Sequence, residues 1–210
     1  MHKEDSRSRK ERALETKRHL YAVADTLFTQ YGFDHVSVDK IVEGAGLSKG
    51  TFYVHFESKD SLLESLISDY VEKVDMDYQA YIDTFSSNMP AADILLGLVE
   101  KIIDVIIDTI GLERMKILYR TQLSNISYSG TAVSYNRMLY RTIMDVLDIG
   151  IQKKEFVTAL ALEELANHLI LAIRGLTYEW CIRYPDFDLR AQSQAHFKIL
   201  IKGIKEDSQL

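Results

Sequence analysis

The stretch from Lys49 to Lys59 concentrates side chains that could bind a nucleic acid. Three of them can donate to phosphate oxygens: the phenol of Tyr53, the imidazole of His55 and the ammonium of Lys59 at the start of a helix. Others suit base edges, because lysine can donate to guanine O6 and N7, methyl groups can meet a thymine methyl, and glycine permits close approach. These are Lys49, Gly50, Thr51 and Val54. The residue types therefore predict contact with double-stranded DNA.

Two short helices joined by a tight turn would hold these groups in place. Ser37 suits the start of the first helix and Ser48 the start of the second, since a serine hydroxyl accepts a hydrogen bond from an unpaired backbone N–H. Gly46 ends the first helix. Phe52 and Phe56 are four residues apart and face inward, which leaves the polar groups outside. This pattern is typical of a helix-turn-helix, and we include both serines among the candidate DNA-binding residues.

The sequence GLSKGTFYVHF over 46–56, followed by SKDSLL over 58–63, closely resembles the DNA-binding domain of the tetracycline-repressor (TetR) family. The motifs LFxxYGF over 27–33 and SVDKIV over 37–42 match it too, so the resemblance covers about residues 13–66. It implies a ligand-responsive, dimeric transcriptional regulator, most often a repressor released from a palindromic operator. It also implies that the positions of Tyr53, His55 and Lys59 grip the DNA backbone.

Two positions depart from the usual pattern of that family. Val54 stands where a larger aromatic or polar side chain is common, so its base readout is expected to be apolar and limited. Gly44 lies inside the first motif helix and is expected to weaken it by about 1 kcal/mol relative to alanine. Neither change is expected to abolish the fold.

The sequence contains no pattern typical of catalysis or of cofactor binding. It lacks HExxH, GxxxxGK[ST], GxGxxG and GxSxG, and its single cysteine, Cys181, cannot build a disulfide or a cysteine metal site. His168 lies alone on an apolar helix, where a histidine is more often a hydrogen-bonded core residue than a ligand. We therefore predict neither enzymatic activity nor a cofactor.

Charge is unevenly distributed along the chain. The net charge is −6, yet residues 1–20 carry seven Lys or Arg against four acids, a balance of +3. Such an arm ahead of a helix-turn-helix could bind phosphates or could be a solvated tail. The charged N-terminus does not resemble a signal peptide, and charges interrupt the most apolar run, 94–110. A cytoplasmic protein without a membrane partner is expected.

Apolar spacing predicts an all-α fold with a helix-turn-helix head over residues 1–60 and a larger body over 61–210. Residues 1–12 are expected to lie outside the first helix. The predicted helices span 13–31, the two motif helices, 58–85, 90–110, 112–123, 131–153, 158–184 and 187–205. A loop is expected over 127–130. The helix over 158–184 is apolar nearly all round, which predicts burial on two sides. With the last helix, whose apolar stripe is Phe197, Leu200, Ile201 and Ile204, it is expected to form a four-helix contact between two copies.

The body is also expected to bind a small effector, because the family resemblance implies a cavity there. Mostly apolar walls would favour an apolar or amphipathic ligand. The candidate ligand-binding residues are Tyr119, Tyr140, Met144 and Tyr178, although such residues at helical spacing are also ordinary core. Arg120 or Arg174 could meet an anion or lie on the surface. The alternative function is a helical ligand-binding or adaptor protein without DNA binding. The presence of Lys49, Tyr53, His55 and Lys59 argues against this alternative.

Overall fold

The computed structural model describes residues 2–86, 88–124 and 138–205, and over these residues the chain is all-α, as predicted. The described helices are α1 (His2–Tyr31), α2 (Val38–Ala45), α3 (Lys49–His55), α4 (Lys59–Ile82), α5 (Ala91–Asp104), α6 (Leu112–Ser124), α7 (Met138–Gln152), α8 (Leu162–Arg183) and α9 (Leu189–Ile204). A 3₁₀ turn, Phe33–His35, follows α1, and a π-helical segment, Val105–Ile110, follows α5. The predicted loop over 127–130 and the predicted helical residues 131–137 lie outside the described residues.

The head packs α1, α2, α3 and the first turns of α4 around one small core. Its innermost side chains are apolar and almost inaccessible to water: Leu20, Ala24, Val36, Ile41, Phe52 and Leu62. The core also takes Leu63 from α4 and Ile117 from α6. The helix α4 thus contributes to both cores, and α6 of the body touches the head, while the division of the chain at residue 60 stays a prediction.

The body is organised around α5, which packs against α4, α7 and α9. Leu95, Leu98 and Ile102 of this helix are buried, as the wide apolar face of the sequence predicts. The helix then loosens into the π-helical segment, where Gly111 N–H donates to the carbonyl of Ile106 at 2.9 Å. Gly111 has φ 81°, a conformation that favours glycine, and it separates this segment from α6.

The first helix is longer than predicted. Residues 2–12 were expected to lie outside it, but α1 begins at His2. The segment is rich in Glu, Lys and Arg and has neither Gly nor Pro, so nothing in it stops a helix that is anchored further along. Whether this basic segment binds phosphates stays a prediction.

The last two helices turn apolar residues outward as well as inward. On α9, Phe197 and Ile201 are buried, and Leu200 and Ile204 pack partly against the body core, so the predicted stripe faces mainly inward. Ile199 is instead 70% exposed. On α8, Leu171, Tyr178 and Ile182 are exposed although the opposite side of the helix is buried. No helix in the described part of the chain is long and apolar enough to cross a membrane.

Candidate nucleic-acid interface

Serine caps begin three consecutive helices of the head. The Ser37 hydroxyl accepts a hydrogen bond from Lys40 N–H at 3.2 Å, and the Ser48 hydroxyl accepts one from Thr51 N–H at 3.1 Å. At the start of α4, Ser58 and Ser61 cap reciprocally, each backbone N–H lying 3.0 Å from the other hydroxyl. Each cap satisfies a backbone donor that would otherwise lack a partner at a helix start. The three caps therefore fix where α2, α3 and α4 begin.

A glycine turn sets the angle between α2 and α3. Gly46 has φ 63° and ψ 32°, the left-handed conformation, and its N–H donates to the carbonyl of Glu43 at 3.1 Å. Leu47 N–H reaches back to the carbonyl of Val42 at 2.8 Å, which completes the usual glycine C-cap. The His19 ring of α1 donates through Nε2 to the carbonyl of Ala45 at 3.1 Å. The end of α2 is thus tied both to its own turn and to α1.

The recognition helix α3 divides into a buried and an exposed side. Phe52 is fully buried and Phe56 nearly so, with their ring centres 5.6 Å apart, which confirms the prediction that they face inward. On the other side Tyr53 is 55% and Val54 80% exposed, and Lys49 and Gly50 are exposed as well. Thr51 and His55 are half-buried at the border. The helix is therefore anchored by two phenylalanines and presents Lys49 and Tyr53 to solvent, with His55 at the border.

An ion pair crosses the helix-turn-helix. The Lys49 ammonium lies 2.6 Å from a carboxylate oxygen of Asp39 in the first turn of α2, and both side chains are more than half exposed. Lys49 is among the predicted DNA-binding residues, and Asp39 is not. Nothing local to either residue indicates the contact, because it depends on how the turn orients the two helices.

Lys59 is held by the head itself. Its ammonium donates to the carbonyl oxygens of Phe33 and Val36, both at 2.8 Å, and lies 4.0 Å from the centre of the Phe33 ring. Burial lowers the pKa of Lys59, with the charge of nearby Arg120 acting in the same direction and the carboxylates of Asp60 and Asp34 opposing it. Of its three protons, one remains for a phosphate. The phosphate contact predicted for Lys59 stays a prediction, beside a structural role that was not foreseen.

Gly44 has a packing role beyond its weak helix propensity. A Cβ atom at this position would lie 3.0 Å from Cγ1 of Val23 on α1, closer than ordinary van der Waals contact. Gly44 is expected to weaken α2, but the missing side chain also lets α2 lie close to α1. An alanine at this position would obstruct that close packing.

Two arginines of α6 clasp the head to the body. Arg114 makes a bidentate ion pair with Asp25 of α1, with both N···O distances at 2.7 Å, and also donates to the carbonyl of Ile110 at 3.0 Å. Arg120 pairs with Asp34 of the 3₁₀ turn, and this contact lowers the pKa of Asp34. Arg120, considered above for an anionic ligand, thus has a carboxylate of the head as its partner. We call Asp25, Asp34, Arg114 and Arg120 the α6 clasp.

The four candidate ligand-binding residues make contacts at different places along the body helices, and their binding of an effector stays a prediction. Tyr119 and Tyr178 are in contact, with ring centres 5.6 Å apart, and the Tyr119 hydroxyl donates to the carbonyl of Arg174 at 3.0 Å. The hydroxyl of Tyr140 instead donates to the carbonyl of Glu163 at 2.8 Å. Glu163 precedes Arg174 by eleven residues on α8, so the two carbonyls are roughly 16 Å apart along that helix. Met144 is half-buried against the body core. Burial raises the pKa of Tyr119, so its hydroxyl stays neutral.

A cavity of about 220 Å³ lies between α5 and α9. Its walls combine apolar side chains of α5 with charged and polar groups of both helices: Leu96, Val99, Glu100, Ile103, Asp104, Arg190, Ser193, Gln194 and Lys198. None of the four predicted ligand residues lines it.

Within the described residues, no group of three or more His, Cys, Asp or Glu could hold a metal ion. Cys181 is buried, which raises the pKa of its thiol to about 11.

Comparison with known proteins agrees with the geometry of the head. Residues 20–66 match the family model described as bacterial regulatory proteins, tetR family. The chain is 26% identical over 207 residues to the HTH-type transcriptional regulator AcrR of Shigella flexneri, covering 94% of this chain and 93% of that protein.

Solved structures show the same fold over almost the whole chain. A TetR-family transcriptional regulator from Pectobacterium atrosepticum superposes with a TM-score of 0.76 at 18% identity, covering 94% of this chain and 97% of the other. The transcriptional regulator FadR from Bacillus subtilis, solved in complex with stearoyl-CoA, gives a TM-score of 0.65 at 18% identity, covering 89% and 98%.

Proposed function

Because the chain belongs to the TetR family of bacterial transcriptional regulators, we propose that it acts as a homodimeric repressor that a small apolar or amphipathic ligand releases from a palindromic operator. The protein would act in the cytoplasm, where its DNA lies, and without catalytic activity. The observation that carries the proposal is the solvent-facing side of α3, where Lys49, Gly50, Tyr53 and Val54 are exposed on a helix anchored by Phe52.

Each predicted DNA-binding group of the head has a proposed task on DNA. The Tyr53 hydroxyl and the His55 ring donate to phosphate oxygens and set the register, together with the remaining Lys59 proton. The helix starts at Ser37 and Ser48 present the positive ends of α2 and α3 to the DNA backbone. Lys49, Thr51 and Val54 read base edges, and Gly50 allows α3 to lie deep in the groove.

Dimerisation is proposed on the outward side of α8 and α9. Leu171, Tyr178 and Ile182 recur at the spacing of one helix face, and a Cβ at Gly175, on the same face, would meet nothing within 4 Å. Ile199 extends this apolar surface onto α9. Covering these residues with the same surface of a second copy would form a four-helix contact with a two-fold axis. Two recognition helices would then meet successive major grooves, about 34 Å apart.

The proposed effector binds in the body and favours a dimer whose heads do not fit the operator. The structure of the same fold with stearoyl-CoA makes acyl thioesters reasonable first probes, since such molecules join an apolar chain to an anionic head. If the ligand prefers the DNA-incompetent state a hundredfold, operator affinity falls by a similar factor at saturation, about 2.7 kcal/mol, and DNA weakens ligand binding equally. Calorimetry with and without operator DNA measures this reciprocity. A ligand whose affinity rises with DNA would make the protein co-repressed.

The direct test is a gel-shift with the DNA upstream of the protein's own gene. We expect a shifted complex that Tyr53→Phe weakens similarly on every sequence, because only a phosphate donor is lost. Tyr31→Phe, at an exposed tyrosine that ends α1, serves as the matched control and should leave binding unchanged. Deleting the gene should raise transcription from that DNA. Absence of any sequence-specific complex would favour an adaptor protein without DNA binding.

A further inference from the structure

We propose that Asp39 is a specificity-determining residue, which directs the Lys49 ammonium to a guanine edge in the major groove and keeps it off the phosphates. This inference rests on the proposed function, because it concerns how the same interface chooses its DNA sequence. It adds to that interface a carboxylate of α2, the helix that precedes the recognition helix.

The geometry that carries the inference is the 2.6 Å ion pair between Lys49 and Asp39. Lys49 is the first residue of α3, where the positive end of the helix dipole repels a cation. Asp39 lies in the first turn of α2, and its carboxylate meets that ammonium across the turn. The flexible lysine stem is thereby restrained at the exposed edge of the helix-turn-helix.

The ion pair between Lys49 and Asp39 contributes little to the stability of the fold. The Lys49 side chain is 57% and the Asp39 side chain 65% exposed, and ion pairs this exposed contribute little to folding. An unpaired carboxylate facing DNA would repel the phosphates. A carboxylate that accepts one proton of the Lys49 ammonium instead balances its charge, so the ammonium is attracted less to the DNA phosphates. Two of its protons remain for other acceptors. Guanine O6 and N7 are two acceptors on one base edge, which matches those two protons.

The alternative use of Lys49 is as a phosphate anchor, and the two uses differ in salt dependence. A lysine on a phosphate adds about 0.9 to the slope of log K against log salt for each contact and is indifferent to sequence. A lysine on a base edge adds discrimination instead. Removing the Asp39 charge should therefore convert Lys49 from the second kind of contact to the first.

The experiment selects binding sites from a duplex library with a randomised central segment, using the full-length wild type, Asp39→Asn, Lys49→Ala and the double variant. We expect the wild type to select a motif that includes a guanine whose preference falls about tenfold in Asp39→Asn. On a fixed random-sequence duplex, Asp39→Asn should bind more tightly, with a salt slope steeper by roughly 0.9 for each subunit that gains a contact. Lys49→Ala should lose the same guanine preference without the steeper slope, and the double variant should resemble Lys49→Ala.

Glu43→Gln is the matched control, since Glu43 is an exposed acid one turn further along α2 and the charge change is the same. It should select the wild-type motif, and thermal melting should show that all variants are folded. Identical motifs and salt slopes for the wild type and Asp39→Asn would overturn the inference while leaving the proposed function standing. A wild type that selects no motif would refute the proposed function and this inference with it.

Discussion

At the scale of single residues, Gly50 is exposed and lies where the protein has room for a side chain. A Cβ atom at this position would come no closer than 3.6 Å to the Ser48 hydroxyl, which is ordinary contact, so the protein itself has room for a side chain. The backbone of α3 at Gly50 is ordinary helix and needs no positive φ. The fold therefore does not require glycine here, and the proposed approach to the groove floor does.

Gly50→Ala is expected to leave the head folded, or to stabilise it by up to about 1 kcal/mol, because alanine favours a helix over glycine. Operator binding should nevertheless fall more than tenfold, since the added methyl group would hold α3 away from the base edges. Thermal melting and fluorescence anisotropy with operator DNA measure the two effects. Gly44→Ala provides the contrast, because its methyl group would meet Cγ1 of Val23 on α1 at 3.0 Å. That variant should not gain stability. Unchanged operator affinity of Gly50→Ala would contradict close approach at this residue.

Lys59→Met is expected to destabilise the head by about 1–2 kcal/mol, because the carbonyls of Phe33 and Val36 lose a charged donor. Methionine keeps most of the apolar stem, so the change reports mainly on the ammonium. Urea unfolding gives the stability, and the salt dependence of DNA binding reports any phosphate contact. Lys40→Met is the control, since the Lys40 ammonium lies 4.4 Å from the Tyr31 ring centre, a contact worth about 0.5 kcal/mol at an exposed site. Equal stability losses for the two variants would argue against a structural role of Lys59.

The sequence predicted the caps and anchors of the head because these depend on neighbours within a few residues. Ser37, Ser48 and Phe52 are examples, each following from a local spacing rule. The contacts of Lys59 with Phe33 and of Lys49 with Asp39 join residues 26 and ten positions apart, respectively. They depend on how three helices meet, which no local pattern encodes.

At the scale of helices, α6 connects the body to the head. It follows the π-helical segment directly, and Arg114 contacts both the last residue of that segment and Asp25 of α1. Ile117, one turn further along, is buried in the head core. A shift of α5 or of the π-helical segment would therefore reach α1 through one arginine and one isoleucine. Such π-helical segments are frequent at functional sites.

A double-mutant cycle on Arg114 and Asp25, with Arg114→Met and Asp25→Asn, is expected to give a coupling free energy of about 1–2 kcal/mol in unfolding. The bidentate geometry and the partial burial of both groups make this pair stronger than an exposed one. The same cycle on Lys116 and Glu113, an exposed pair on the same helix, should give about 0.3 kcal/mol. Similar coupling for both pairs would mean that α6 does not clasp the head.

The sequence predicted which segments form helices better than it predicted where each helix begins and ends. Apolar spacing located α4 to α9 within the described residues, because each has a face that must be buried. The predicted start of α1 at residue 13 was wrong, since the first turns have no apolar face to indicate a helix. The inward orientation of the α9 stripe could not be told from an outward one, because the same apolar residues would suit a core or a partner subunit.

At the scale of the whole molecule, the proposed dimer determines how two heads meet DNA. The head and the body share α4, which at 24 residues is about 36 Å long, so the position of each head follows the body to which it is attached. The exposed apolar residues of α8 and α9 belong to helices of the body, whereas α3 belongs to the head. Removing the dimer contact should therefore leave each recognition helix intact while losing the benefit of binding two half-sites together.

The test is the double variant Leu171→Glu with Ile199→Glu, which places charges on the exposed apolar surface of α8 and α9. We expect a folded monomer by analytical ultracentrifugation, because both side chains are exposed within one subunit. Affinity for a palindromic operator should fall a hundredfold or more, since the second half-site no longer benefits from a high effective concentration. Affinity for a single half-site should change little. Leu123→Glu, at an exposed leucine near the end of α6, is the control and should remain a dimer with full affinity. If the double variant sediments as the wild type does, the dimer contact lies elsewhere, and the spacing of the two heads must be derived from another surface.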